Sequence, residues 1–108
     1  MSDREARVVL VNVPDADLAL RIGRTLVEER LAAAANSVPG VRSIFRWEGR
    51  VHHRTEVLLL LKTRAACLEA LAARIEALHP YDLPGMVALP VVAGSPPYLD
   101  WIVSETSK

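Results

Sequence analysis

The sequence predicts an α+β domain with the element order βαββαβ and an additional C-terminal helix. Three observations carry this prediction. The chain has 108 residues, enough for one buried core. Its apolar residues change between a period of 3.6 and a period of 2 at turn-forming residues. Two long strand-like stretches also face each other across the short turn "EGR" at 48–50. No repeat, low-complexity tract or internal boundary interrupts the pattern, so a single domain is assigned to residues 1–108.

Residues 7–13, "RVVLVNV", are a β-branched run closed by Pro14, as in a buried strand. Asp15 is placed to cap a following helix, in which Leu18, Ile22 and Leu26 recur four apart behind an acidic first turn. That helix is predicted to end near Leu31 or Ala32. From Val41, the residues Val41, Ser43, Phe45 and Trp47 alternate with Arg42, Ile44 and Arg46, which is strand periodicity. Pro39 and Gly40 just before it suggest a bulge or bend. After the turn, "VHHRTEVLLLLK" returns as the partner strand, polar at its start and continuously apolar from Val57 to Leu61. Thr63 reads as an N-cap for a second helix with Leu68, Leu71, Ile75 and Leu78 on one face, stopped by Pro80 and Pro84. "MVALPVV" is a further strand, and Ser95 with Pro96 marks the start of a short final helix.

This order is that of the ferredoxin-like, split-βαβ sandwich. Each hairpin strand covers about 12 to 14 residues, roughly 40 Å, against roughly 23 Å for the first strand. Such a hairpin projects beyond its own subunit and exposes both an edge and the aromatic pair Phe45 and Trp47, which favours an oligomer. The alternative is a hairpin curled over its own core.

Thirteen basic and thirteen acidic side chains balance, so composition gives no field to draw nucleic acid or an anionic membrane. No stretch approaches the roughly 20 apolar residues of a membrane span. The start "MSDREARVVLVNVPD" lacks the long apolar segment of a secretory signal, and the lone Cys67 fits a reducing compartment. The expected location is the cytoplasm.

The chemistry-bearing residues are few. His79 sits in the corner "EALHPYDLPGMVALP" at 76–90, either as a ligand for a borderline metal or as a structural hydrogen-bonding group at the helix end. His52 and His53 point to opposite faces of a strand and cannot chelate one ion within a subunit. Cys67 lies beside the apolar stripe of the second helix and is expected to be buried and inert. Glu56 and Lys62 share strand parity, as do His52 and Arg54, which allows an ion-pair network or a small pocket on that face. No nucleophile with a base, P-loop or zinc spacing occurs, and no catalytic residue is assigned.

The blocks "LAAAANSVPGVRSIFRWEGR", "EVLLLLKT", "ALHPYDLPGMVALPV" and "YLDWI", in that order and spacing, resemble the CutA family of divalent-cation tolerance proteins. The resemblance implies a homotrimer built through the long hairpin, similar in architecture to PII signalling proteins. The family's copper-ligand positions fall on Val11, Leu78 and His79, so one of the three is a ligand type here, and a cysteine often seen in the family corresponds to Ala34. The same resemblance places Glu56, Lys62 and Tyr81 around an intersubunit cleft. The functional expectation is a non-enzymatic protein of divalent-cation tolerance that holds copper or another divalent cation weakly at trimer clefts, with His79 as metal ligand. Trp47, Arg50, Glu56, Lys62, Tyr81 and Asp82 form the expected cleft, and no cofactor is needed for folding. The second expectation is a PII-like signalling or scaffold module binding a small anion or a protein partner, in which Arg50, Lys62 and Tyr81 carry the binding.

Overall fold

The computed structural model describes residues 5 to 107, so the first four residues and the last residue of the assigned domain lie outside it. Its elements are β1 (Ala6–Val13), α1 (Ala16–Glu28), β2 (Ala34–Trp47), β3 (Arg50–Arg64), α2 (Leu68–Leu78) after a 3-10 turn at Ala65–Cys67, β4 (Met86–Pro90) and α3 (Pro96–Glu105). The strands form one antiparallel sheet in the order β2-β3-β1-β4. Among the described residues no helix is long and apolar enough to cross a membrane.

Strand parity divides the residues between two faces. Val9, Val11 and Val13 of β1 and Val57, Leu59 and Leu61 of β3 point to one face, where they bury against Leu18, Ile22 and Leu26 of α1 and Leu71 and Ile75 of α2. Removing these side chains from water is the main drive to fold. On the opposite face α3 covers one end of the sheet, with Leu99 and Ile102 packed on Ala6 and Ala33. Beyond α3 that face stays apolar and open: Leu10, Leu58 and Leu60 are half-buried, and Val38, Val87 and Leu89 are exposed.

Several boundaries depart from the sequence expectation. Helix α1 has the expected cap, Asp15 Oδ1 accepting from the Leu18 N–H at 2.8 Å, but it ends at Glu28. Arg30 turns the chain at φ 60°, and the Leu31 N–H returns to the Leu26 carbonyl at 2.9 Å, closing the helix before the alanine run. The alanines therefore belong to the sheet, which β2 enters at Ala34, seven residues before Val41. Thr63 is no helix cap: it is a fully buried residue of β3 whose hydroxyl donates to the Leu31 carbonyl at 2.7 Å. β4 stops at Pro90, because proline gives the ladder no N–H.

The hairpin projects. β3 pairs with β1 only from Val57 to Arg64, so Val41–Trp47 and Arg50–Glu56 continue as a two-stranded ribbon with no third strand beside it among the described residues. The longest dimension is 44 Å, and the radius of gyration is 14.3 Å, where a compact domain of this length has about 13 Å. At its tip Glu48 and Gly49 both take positive φ, the two-residue turn whose twist matches the strands.

Between Val38 and Val41 the register slips: Val38 pairs with Leu58 and Val41 with Glu56, so Pro39 and Gly40 together oppose Val57. This is the bulge that the Pro-Gly pair suggests. Gly40 lies at φ +73°, and a Cβ there would meet nothing within 4 Å. Any cost of a side chain at Gly40 is therefore backbone strain. Gly40→Ala is expected to lower stability in urea denaturation by about 1–2 kcal/mol, whereas Gly85→Ala, equally open and without a left-handed φ, should change it far less.

Candidate functional site

The bulge decides which side chains meet. Before it, Asn36 and Val38 share the open face with Leu58 and Leu60; after it, Val41, Ser43, Phe45 and Trp47 share that face with Glu56, Arg54 and His52. A regular strand would send Ser43, Phe45 and Trp47 to the opposite side. With the bulge, the ribbon's concave face and the corner 80–85 enclose a cavity of about 690 Å3, whose walls include Asn12, Ser43, Phe45, Trp47, Arg54 and Tyr81.

Glu56 is at its floor and is 4% exposed. Its carboxylate accepts from Asn12 Nδ2 at 3.1 Å and from the Tyr81 hydroxyl at 2.7 Å. Asn12 Nδ2 also reaches Ser43 Oγ at 3.4 Å. Burial works to raise the Glu56 pKa, but hydrogen bonds from Ser43, Tyr81 and Asn12, with the charge of Arg54, outweigh it and hold the carboxyl below its usual value. Burial, followed by the bond to Glu56, pushes the Tyr81 phenol up, so it stays a donor.

The corner is anchored by His79, which is 7% exposed and caps the end of α2. Its Nε2 lies 2.7 Å from the Asn12 carbonyl, and its Nδ1 accepts the Tyr81 N–H at 3.1 Å. A carbonyl can only accept, so the proton is on Nε2 and the ring is the neutral Nε2–H tautomer. Both ring nitrogens are in use. The backbone bond from the Asn12 N–H to the Gly85 carbonyl, 3.3 Å, ties the same strand end to the corner. His79 thus places Tyr81, and Tyr81 places the carboxylate.

Arg54 lies across two aromatic rings, its guanidinium carbon 5.4 Å from the Phe45 centroid and 5.2 Å from that of Tyr81. No ion pair among the described residues involves it.

Of the cleft residues expected from sequence, Trp47, Glu56, Tyr81 and Asp82 line the cavity. Arg50 begins β3 at the exposed ribbon tip, outside the lining. Lys62 shares Glu56's face but lies six residues along β3, roughly 20 Å away, where its Nζ rests 5.4 Å from the Tyr98 ring of α3. The shared parity was right and the distance separates them. His52 stacks on Phe45 at 5.4 Å and His53 meets Arg42 on the other face. Cys67 is buried, its thiol donating to the Thr106 carbonyl at 3.5 Å. Val11 points into the core and Leu78 packs against it. Among the described residues no group of three His, Cys, Asp or Glu side chains is placed to hold a metal ion. Asn12, Ser43 and the place of Phe45 and Arg54 in the cavity were missed; the parity of Arg54 with Glu56 was the available signal, while Asn12 joins only through sheet register.

Comparison with known proteins places this geometry. The model of the CutA1 divalent ion tolerance protein family matches residues 7–105. A divalent-cation tolerance protein CutA from Thermus thermophilus is 50% identical over 99 residues, which are 92% of this chain and 96% of that protein. The chloroplastic protein CutA of Arabidopsis thaliana is 42% identical over 99 residues, 92% of this chain and 54% of that protein, so the chain spans about half the plant relative's length. A solved structure of the divalent cation tolerance protein from Thermus thermophilus superposes with a TM-score of 0.92 at 48% identity, covering 94% of this chain and 99% of that one.

Glu56→Gln keeps the shape but puts an amide nitrogen, a donor, against Tyr81 or Asn12. Urea denaturation at neutral pH should show a loss of about 1–3 kcal/mol. Because the folded carboxyl titrates below its ordinary value of 4.5, its contribution is present above that pH and is lost as pH falls through the lowered folded value. The variant should lose less stability than the parent on acidification below pH 4.5.

Proposed function

This chain belongs to the CutA1 divalent ion tolerance family, and we propose that it serves that tolerance, copper first, as a non-enzymatic cytoplasmic homotrimer. The observation that carries the reading is the match over residues 7–105 to proteins named for this role. Two structural features support the assembly: a ribbon with no third strand beside it among the described residues, and an apolar sheet face exposing Val38, Val87 and Leu89. Both are liabilities in a lone subunit and both are covered if copies pack on them.

Cation binding in this reading is weak and shared between subunits. One chain supplies no three-ligand group among its described residues. His79 remains the ligand candidate, but ligation has to displace the Tyr81 N–H from Nδ1 or the Asn12 carbonyl from Nε2, a net cost of about 1 kcal/mol per bond. Asp82, three residues after His79, is an exposed carboxylate on the same corner.

A second reading is favoured by one observation, the Arg54 guanidinium held on two rings in a 690 Å3 cavity without an ion pair among the described residues. On that reading the cleft takes a small anionic ligand, as in a signalling or scaffold module.

Light scattering of the purified protein should give about three times the 11.8 kDa chain mass; a monomer at micromolar concentration contradicts the assembly. Copper(II) titration should show weak binding that falls in His79→Ala, with folding of the variant verified by circular dichroism. Equal binding by both proteins removes His79 from the site.

A further inference from the structure

We propose that the cavity beside Arg54 binds a planar anion, an aromatic ring carrying a carboxylate or phosphate group; this rests on the reading of the cleft as an anion site and names its ligand class. The cavity's 690 Å3 lies within the roughly 300–1,000 Å3 of small-molecule sites. Its groups divide into those already satisfied and those that still present a surface. Both Glu56 oxygens accept hydrogen bonds from within the chain, and the Asn12 amide and Tyr81 hydroxyl are the donors. This buried floor is a closed network and offers a ligand little.

The walls differ. The Arg54 guanidinium carbon lies 5.4 Å from the Phe45 centroid and 5.2 Å from that of Tyr81, and hydrogen bonding to Tyr81 engages part of its donor set. The remaining N–H groups of a guanidinium placed between two rings suit carboxylate or phosphate oxygens. Arg46 lines the same cavity, and Trp47, 40% exposed, adds a second aromatic surface. The cavity lining carries Arg46 and Arg54 against Asp82 and the buried Glu56. Glu56 is already satisfied within the chain, which leaves two arginines facing one exposed carboxylate. Phe45 already carries His52 and Arg54 on its ring, so an anionic group on Arg54 directs the rest of the ligand toward Trp47, where a flat ring stacks and an aliphatic chain does not. Asp82, exposed on the cavity's edge, opposes the ligand's charge.

The opposition from Asp82 makes the sign of the ligand testable. The chain has two tryptophans, Trp47 in the cavity and Trp101 on α3, so a Trp101→Phe background isolates the Trp47 fluorescence signal. The full-length protein in that background is titrated separately with benzoate, adenosine monophosphate, succinate, inorganic phosphate and benzamidinium, and binding is confirmed by calorimetry. Benzoate or adenosine monophosphate should bind and shift the emission, and which of them binds more tightly distinguishes carboxylate from phosphate. Arg54→Ala should weaken binding about tenfold or more, Arg54→Lys should fall between, and Asp82→Asn should tighten it. The exposed Arg54 can be removed without opening the core, and a thermal melt verifies folding. Benzamidinium binding in preference, or weaker anion binding in Asp82→Asn, overturns the proposal in favour of a cation site. Succinate or phosphate binding as tightly as the aromatic probes overturns the planar ligand while leaving the anion cleft standing. No binding by any probe up to roughly millimolar concentration overturns both.

Discussion

The cavity exists because one strand changes parity. In a sheet every residue's face is fixed by its neighbours, and a shift of one residue reverses every side chain after it. The two residues Pro39 and Gly40 opposite the single Val57 make such a shift within β2. On the inner side of the bulge β2 contributes to an ordinary half-buried sheet. On the outer side the same strand turns Ser43, Phe45 and Trp47 toward Glu56 and Arg54. The left-handed φ of Gly40 is the local requirement for this, and a β-branched residue could not meet it cheaply. Phe45 would not support Arg54, and Ser43 would not reach Asn12, without that turn.

The bulge brings the groups together and Glu56 fixes their spacing. A carboxylate almost excluded from water is tolerated when it is fully hydrogen-bonded. Here the donors come from three separate segments: Asn12 at the end of β1, Ser43 in β2, and Tyr81 in the corner after α2. His79 adds a second tie between the first and third, from the Asn12 carbonyl to the Tyr81 N–H. The site is thus braced by neutral donors around one negative charge, and Arg54 joins its edge through Tyr81 without forming an ion pair with Glu56. A histidine used in this way is structural in each chain, whatever else it meets in an assembly.

Periodicity revealed most of the fold, because the core faces of β1, β3, α1 and α2 follow the simple spacings of 2 and 3.6 residues. It failed where short residues end an element without an apolar signature. The alanine run after α1 looks helical by propensity, yet the left-handed Arg30 and the bond from Leu31 to Leu26 end the helix first. Thr63 looks like a cap because a hydroxyl precedes a helix, but its partner, the Leu31 carbonyl, comes from a loop 32 residues away. The site was half legible for the same reason. Glu56 could be singled out by strand parity, and Glu56 and Tyr81 by the family resemblance. Asn12 could not, since its role follows from which strand lies beside β3. Lys62 shares the face of Glu56, but parity specifies a face and says nothing of distance along it.

The ribbon that forms one wall of the cavity is itself weakly supported. An isolated two-stranded hairpin is marginal in water, and this one has Ile44 and Val51 exposed at 73% and 63%. Within a single chain its stiffness comes from the bulge, from the stack of His52 on Phe45, and from Arg54 bridging to Tyr81. The last of these crosses the cavity, so it is also the contact that any ligand on Arg54 engages. A group that binds there braces the ribbon against the corner 80–85. If further copies pack on the open sheet face and the ribbon, they meet it on the cavity's own face. Occupation of the cavity and assembly then act on one surface of the same element, so by linkage each changes the affinity of the other. Affinity measured on a dissociated subunit would consequently differ from that of the assembled protein by this coupling free energy.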